Sequence, residues 1–108
     1  MENEKLKKIY EIMKDHKLLD VKVYNLKGTT PFYDYFIIGT GNLRQIDATS
    51  TDISQQFKNE KGIEGKQTNW VLIDLNEVIV HMFDKEARDN YGLDKMFFNL
   101  LDKEYSDD

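Results

Sequence analysis

Gly39-Thr40-Gly41, between an apolar run and a helix-like stretch, is the first place in this 108-residue sequence where spacing suggests chemistry. Backbone N–H groups at a helix start bind anions, so a glycine turn there suits a phosphate. The signal is thin. A Walker loop ends in a Lys-Ser/Thr pair, which Asn42-Leu43-Arg44 does not supply, and a dinucleotide fingerprint needs a third glycine. A tight strand-to-helix turn explains the same glycines. His81, flanked by Val80 and Met82, has no nearby Ser or Cys to form a triad, so strand packing or an edge hydrogen bond accounts for it. His16, between Asp15 and Lys17, reads as a solvated helix end. Asp84, Glu86 and Asp89 suit a helix N-terminus, which favours negative charge, better than a metal site. With no Cys and only two His, a disulfide scaffold, a thiolate zinc site and a Cys nucleophile are excluded, and neither metal nor cofactor is expected. Trp70, the only tryptophan, follows the polar loop Lys66-Gln67-Thr68-Asn69. It suits either a buried anchor or an interface hot spot, since hot spots are enriched in Trp, Tyr and Arg. Tyr33, Tyr35 and Tyr91 are similarly amphipathic.

The elements that must position these residues follow from periodicity. Leu6, Ile9, Tyr10 and Met13 recur at helical spacing. The stretch 19–26 alternates apolar with polar, as a strand with one buried face does, and Lys27-Gly28-Thr29-Thr30-Pro31 breaks it. Tyr35-Phe36-Ile37-Ile38 has no polar alternation, which suits a central strand covered on both faces. Asn42, with Gln45 three residues on, predicts a capping box. Leu43, Ile46, Ile53 and Phe57 then form the stripe of a second helix expected to stop at Gly62. Residues 70–83 predict a hairpin turning at Asn76-Glu77, with Trp70, Leu72 and Asp74 on one face and Val71, Ile73 and Leu75 on the other. A helix through Arg88 and a second helical turn at 95–101 complete the pattern. This predicts a single α/β domain over residues 1–102, a mixed sheet with packed helices, followed by a charged tail at 103–108 expected to fray.

That order of strand, glycine turn and helix resembles the opening of nucleotidyltransferase domains. Their chemistry needs two acids one residue apart on one strand face, to hold Mg²⁺. The nearest candidates, Asp52-Ile53-Ser54 and Asp74-Leu75-Asn76, each lack the second acid. The reading is therefore a nucleotidyltransferase-like fold without catalytic acids, and not an enzyme. A nucleotide-binding protein using Gly39-Thr40-Gly41 is the alternative. Composition argues against wrapping nucleic acid directly: 15 Lys and Arg against 20 Asp and Glu give a net charge of -5, which repels phosphate backbones. Met1-Glu2-Asn3-Glu4-Lys5 has neither a signal peptide's apolar stretch nor a transit peptide's arginines, so a cytoplasmic location is expected.

Longer motifs carry a more specific resemblance. Asp34-Tyr35-Phe36-Ile37-Ile38-Gly39-Thr40-Gly41 with Arg44-Gln45, then Glu64-Gly65, then Trp70-Val71-Leu72-Ile73-Asp74, then Val78-Ile79-Val80-His81-Met82-Phe83 with Arg88, Tyr91, Leu93, Asp94 and Lys95, resemble the ordered motifs of the ribosomal silencing factor (Iojap-like) family. The match runs from about Asp20 to Phe97. Two departures stand out. The stretch before Glu64 is short, so a strand usual in the family is expected truncated or absent, and Phe97 stands where many members place a Trp. The resemblance implies a binding protein that docks on large-subunit ribosomal protein fourteen, prevents the subunits from joining, represses translation and forms homodimers when free. Mapped onto this sequence, it implies Trp70 as anchor, with Asp74, Glu77 and Tyr91 around it. Asp34 and Arg44, at the two ends of the Gly turn, either bind the partner or brace the turn.

Overall fold

The structure, a computed structural model, describes residues 3–58 and 62–107. Helix α1 spans Glu4–Asp15, capped by Asn3, and buries Leu6, Ile9, Ile12 and Met13. Strand β1 (Leu19–Asn25) leads through the Pro31 loop to β2 (Tyr35–Thr40), and α2 (Leu43–Gln56) follows. Two-residue β3 (Ile63–Glu64), β4 (Trp70–Asp74) and β5 (Val78–Phe83) come next. Helices α3 (Lys85–Tyr91) and α4 (Leu93–Phe97), a 3-10 turn over Phe98–Leu100 and β6 (Leu101–Asp102) close the chain order.

The strands form one six-stranded sheet in the order β3-β4-β5-β2-β1-β6. Only β2 and β5 run parallel, Tyr35 opposite Val78 through Thr40 opposite Phe83; the other pairs are antiparallel. The apolar 35–38 run is thus central, as its lack of alternation predicted. The hairpin forms with Asn76 at φ 77 in its turn, and the strand expected truncated or absent before Gly65 is the two-residue β3.

Alternation assigns the two faces of the sheet. Face one carries Val21, Val23, Tyr35, Ile37, Val71, Ile73, Val78, Val80 and Met82, packed under α1 and α2 as one aliphatic core. Face two carries Tyr24, Phe36, Ile38, Trp70 and Phe83, partly roofed by Ala87, Leu93, Phe97, Leu100 and Leu101.

Several expectations are corrected. β1 buries residues on both faces, Val23 on one and Tyr24 on the other, because α4 packs where a solvated face was expected. Helix α2 ends at Phe57, whose extended backbone turns the chain into the core well before Gly62; residues 59–61 lie outside the described residues. Leu43, placed in the helix stripe, is 52% exposed. The helical turn at 95–101 stops short, since Leu101 and Asp102 pair with Tyr24 and Val23 as β6. The tail expected to fray at 103–108 is docked over its described residues. Asp107 accepts hydrogen bonds from the Tyr10 hydroxyl, Lys14 and the Val21 amide, and Ser106 accepts one from the Val23 amide. This covers the backbone edge of β1 that would otherwise be open. His16 is not a free helix end either: its Nε2 lies 3.0 Å from Asp52. No described helix is long and apolar enough to cross a membrane.

Candidate partner-binding face

The glycine turn is built for packing. The capping box forms as predicted, Gln45 N–H donating to Asn42 Oδ1 and Asn42 N–H to Gln45 Oε1. A Cβ on Gly39 would lie 2.7 Å from Met13 Cε, and one on Gly41 2.6 Å from Leu18 Cδ2. Neither glycine has positive φ; both are small because α1 and the chain after it press against the turn. The tight strand-to-helix turn forms as expected, with Gly41 and Asn42 alone between β2 and α2, and close approach is what requires its glycines. Among the described residues, no group of three or more His, Asp or Glu is placed to hold a metal ion.

Face two holds a different kind of assembly. The loop into β4 depends on Gly65, at φ +73, where a Cβ would fall 2.1 Å from the Trp70 carbonyl oxygen. Thr68 ties the same loop, its hydroxyl donating to the Gly65 carbonyl at 2.6 Å. Trp70 then starts β4 with its ring half-buried on face two. It stacks on Phe83 at 5.1 Å between centroids and meets Tyr91 at 4.5 Å. Its Nε1–H donates to His81 Nδ1 at 3.1 Å. His81 meets Phe36 edge-on at 4.7 Å, and Phe36 meets Phe97 edge-on at 5.4 Å. Tyr33 and Phe32 continue the row onto the Pro31 loop, where Phe32 is 78% exposed. Such contacts add about 0.5–1.5 kcal/mol per pair beyond area burial. The row is continuous, and its Trp70–Tyr91 end is open: Tyr91 is 50% exposed.

Beside the row, an ion pair between buried Arg88 and half-buried Asp94 fixes α3 and α4 to the sheet. Arg88 grips Asp94 with Nε and Nη2 at 2.8 and 3.1 Å, while Nη1 donates to the Asp20 carbonyl and Thr40 Oγ1. Burial alone would raise the Asp94 carboxyl, but hydrogen bonds from Arg88 and Tyr24 outweigh it and hold the pKa below the usual range. Burial, then the bond to Asp94, pushes the Tyr24 hydroxyl above its ordinary value. The adjoining cleft of about 710 Å³ is lined by Asp20, Tyr24, Thr40, Arg88 and Asp94, engaged with one another, and also by Lys22, Lys85, Asp89 and Lys95.

The six residues picked from sequence fall into two groups. Trp70 and Tyr91 touch, and Arg44 is exposed in the first turn of α2 at the same sheet end, where the Gly41 N–H reaches the Phe83 carbonyl. Asp34, Asp74 and Glu77 sit at the opposite end. The Asp34 amide donates to the Glu77 carbonyl at 2.8 Å, Asp74 accepts from the Asn76 amide in the hairpin turn, and Glu77 pairs with Lys5 at 2.6 Å. Lys5 holds the Glu77 carboxyl below its usual range. Trp70 and Asp74 are four residues apart along β4, about 13 Å. The expected ring of Asp74 and Glu77 around Trp70 is therefore not formed; Phe83, His81 and Tyr91 surround it instead. Phe36 and His81 were missed as members of this face, although parity from Thr40 and Phe83 along their strands places them there.

Comparison with known proteins decides the family. The model for "Ribosomal silencing factor during starvation" matches residues 1–108. This chain belongs to the ribosomal silencing factor family. It is 38% identical over 90 residues to the ribosomal silencing factor of Halalkalibacterium halodurans, covering 77% of this chain and 76% of that one. The corresponding protein of Bacillus subtilis is 34% identical over 90 residues, with 77% and 75% covered. A crystal structure of a Chromobacterium violaceum protein superposes with a TM-score of 0.77 at 26% identity, covering 90% of this chain and 87% of that one. The ribosomal silencing factor family carries a regulatory name, and the mixed-sheet architecture is shared.

Proposed function

We propose that this protein docks through the open Trp70–Tyr91 end of its aromatic face on large-subunit ribosomal protein fourteen. Seated there, it sterically blocks joining of the small subunit and represses translation, in the cytoplasm and without catalysis. The observation that carries the reading is a preorganised aromatic pair left half-exposed in a chain of the silencing-factor family. Interface hot spots are such aromatics, pre-set in a rigid surround. The net charge of -5 steers the protein toward a basic ribosomal protein and away from rRNA phosphates. Asp34, Asp74 and Glu77 form a second, acidic contact at the other end of the sheet, and Arg44 flanks the first. The free protein is a homodimer. The nucleotide alternative finds no support in the glycine turn, where a capping box takes up the Asn42 and Gln45 amides.

The test is co-sedimentation through a sucrose gradient with purified large subunits, small subunits and assembled ribosomes. The protein is expected with large subunits alone; equal recovery with small subunits refutes the reading. Trp70→Ala is expected to weaken binding about thirtyfold or more while the variant remains folded in a urea melt.

A further inference from the structure

Burying a histidine on a sheet face that aromatic and aliphatic side chains could fill needs a reason. His81 is only 3% exposed, and its Nε2 has no hydrogen-bond partner among the described residues. A buried polar atom left unsatisfied is costly, and an aliphatic side chain would avoid that cost. What the imidazole adds is at its other nitrogen. Indole N–H is a donor only, so at 3.1 Å from Trp70 Nε1 the His81 Nδ1 must be the acceptor. The ring is therefore neutral, with its proton on Nε2. It is itself immobilised, parallel to Phe83 at 6.2 Å with 8° between planes and edge-on to Phe36 at 4.7 Å. In the β4–β5 register Trp70 faces Phe83 and Leu72 faces His81, so the bond is diagonal and ties the first residue of β4 back to the middle of β5.

We propose that His81 is the positioning residue for Trp70: its Nδ1 fixes the indole in one orientation, so that the ring meets a partner preformed. The role in docking rests on the proposed function above; the orientation of the indole does not. Stacking on Phe83 and Tyr91 alone would let the ring slide in its plane, whereas one directional hydrogen bond sets which edge points inward. Preorganisation of this kind removes an ordering cost that would otherwise weaken binding.

The lone tryptophan makes the claim measurable, because fluorescence excited at the red edge of indole absorption and the long-wavelength indole band of near-ultraviolet circular dichroism, both beyond the reach of the six tyrosines and six phenylalanines, report on Trp70 alone. His81→Asn keeps an acceptor where Nδ1 stands, and His81→Leu removes it while filling the space. His81→Asn is expected to retain the wild-type tryptophan signal and large-subunit affinity. His81→Leu is expected to lose the ordered signal and about tenfold in affinity, while the far-ultraviolet spectrum stays unchanged. Wild-type signal and affinity in His81→Leu overturn the proposal, as does equal loss in both variants, which marks simple packing. Should His81→Leu not fold, hydrogen exchange of the wild-type indole N–H decides: slow exchange supports the bond and rapid exchange overturns it. A lost signal in His81→Leu with unchanged co-sedimentation supports the positioning role and refutes the docking reading.

Discussion

The two faces of the sheet are built from different chemistry. Face one is largely aliphatic and buried. Val23, Ile37, Ile73, Val80 and Met82 are fully buried under α1 and α2. Close packing of branched side chains supplies stability without directional bonds. Face two is aromatic and polar, its packing interrupted by Trp70, His81, Arg88 and Asp94, each held by a specific hydrogen bond. A surface that must stay open to a partner cannot rely on burial. It holds its shape with rings and directional bonds, and it becomes sensitive to single atoms and to protonation.

The comparison breaks if deletions on the two faces behave alike. The largest effect is expected on face one: Ile73→Ala removes a fully buried side chain and costs about 4 kcal/mol in a urea melt. It should leave the large-subunit affinity of the folded fraction unchanged, and a selective loss of binding would count against the division. On face two, Arg88→Ala strands Asp94 and frees the Thr40 hydroxyl and the Asp20 carbonyl. Because a third of the Asp94 side chain reaches solvent, the cost is expected at the lower end for a broken buried pair, about 3 kcal/mol. Arg88→Lys should recover little, as an ammonium cannot span both carboxylate oxygens.

Acid sharpens the contrast. Burial pushes the His81 imidazole from 6.5 down to about 4. Between those values the unfolded chain binds the extra proton and the native state does not, so stability from this site is complete above 6.5 and is lost as pH falls toward 4. Integrated to pH 4.5, the loss is about 2–3 kcal/mol. The carboxyls of Asp52, Glu77, Asp94 and Asp107, all held below their usual values, add losses of the same sign at lower pH. Urea melts at pH 7, 5.5 and 4.5 on wild type and His81→Asn separate the two sources. Wild type is expected to lose more, and parallel curves would remove His81 from the account.

How much of this was legible in the sequence follows the range of the interactions. The hairpin was readable because the apolar run from Trp70 to Leu75 ends in the turn pair Asn76-Glu77, and strand parity then assigned its two faces, as the alternating burial along β4 shows. The capping box was readable because it spans three residues. Arg88 and Asp94 lie six apart, across the break at Gly92, so no helical spacing rule pairs them. The contact of Gly39 with Met13, the Asp107 clasp on β1 and the two-residue β6 are long-range and leave no local period. The site residues split the same way. Trp70 and Tyr91 were singled out by type and do meet, but Asp74 was grouped with Trp70 by the family resemblance and by parity. Parity gives a face and not a distance along it.

The smallest expected effect bears on the one motif that belongs to neither face. Asn42 stands where face one's helix α2 begins, directly after the glycine turn that invited a phosphate reading. Its side chain accepts the Gln45 N–H at 2.8 Å, and Gln45 returns the bond to the Asn42 N–H at 2.9 Å, then reaches the His16 and Lys17 carbonyls through Nε2. Two of the amides at this helix start, those of Asn42 and Gln45, are thus spent on the cap, and the cap in turn fastens α2 to the end of α1. Asn42→Ala is expected to cost about 1 kcal/mol of stability, the usual worth of such a cap. It should not alter the melting temperature's response to Mg²⁺ and a nucleoside triphosphate, which is expected to be nil in wild type as well. A triphosphate-dependent rise in wild type that the substitution changes would reopen the turn as a binding site, because ligand linkage raises stability only where the native state binds.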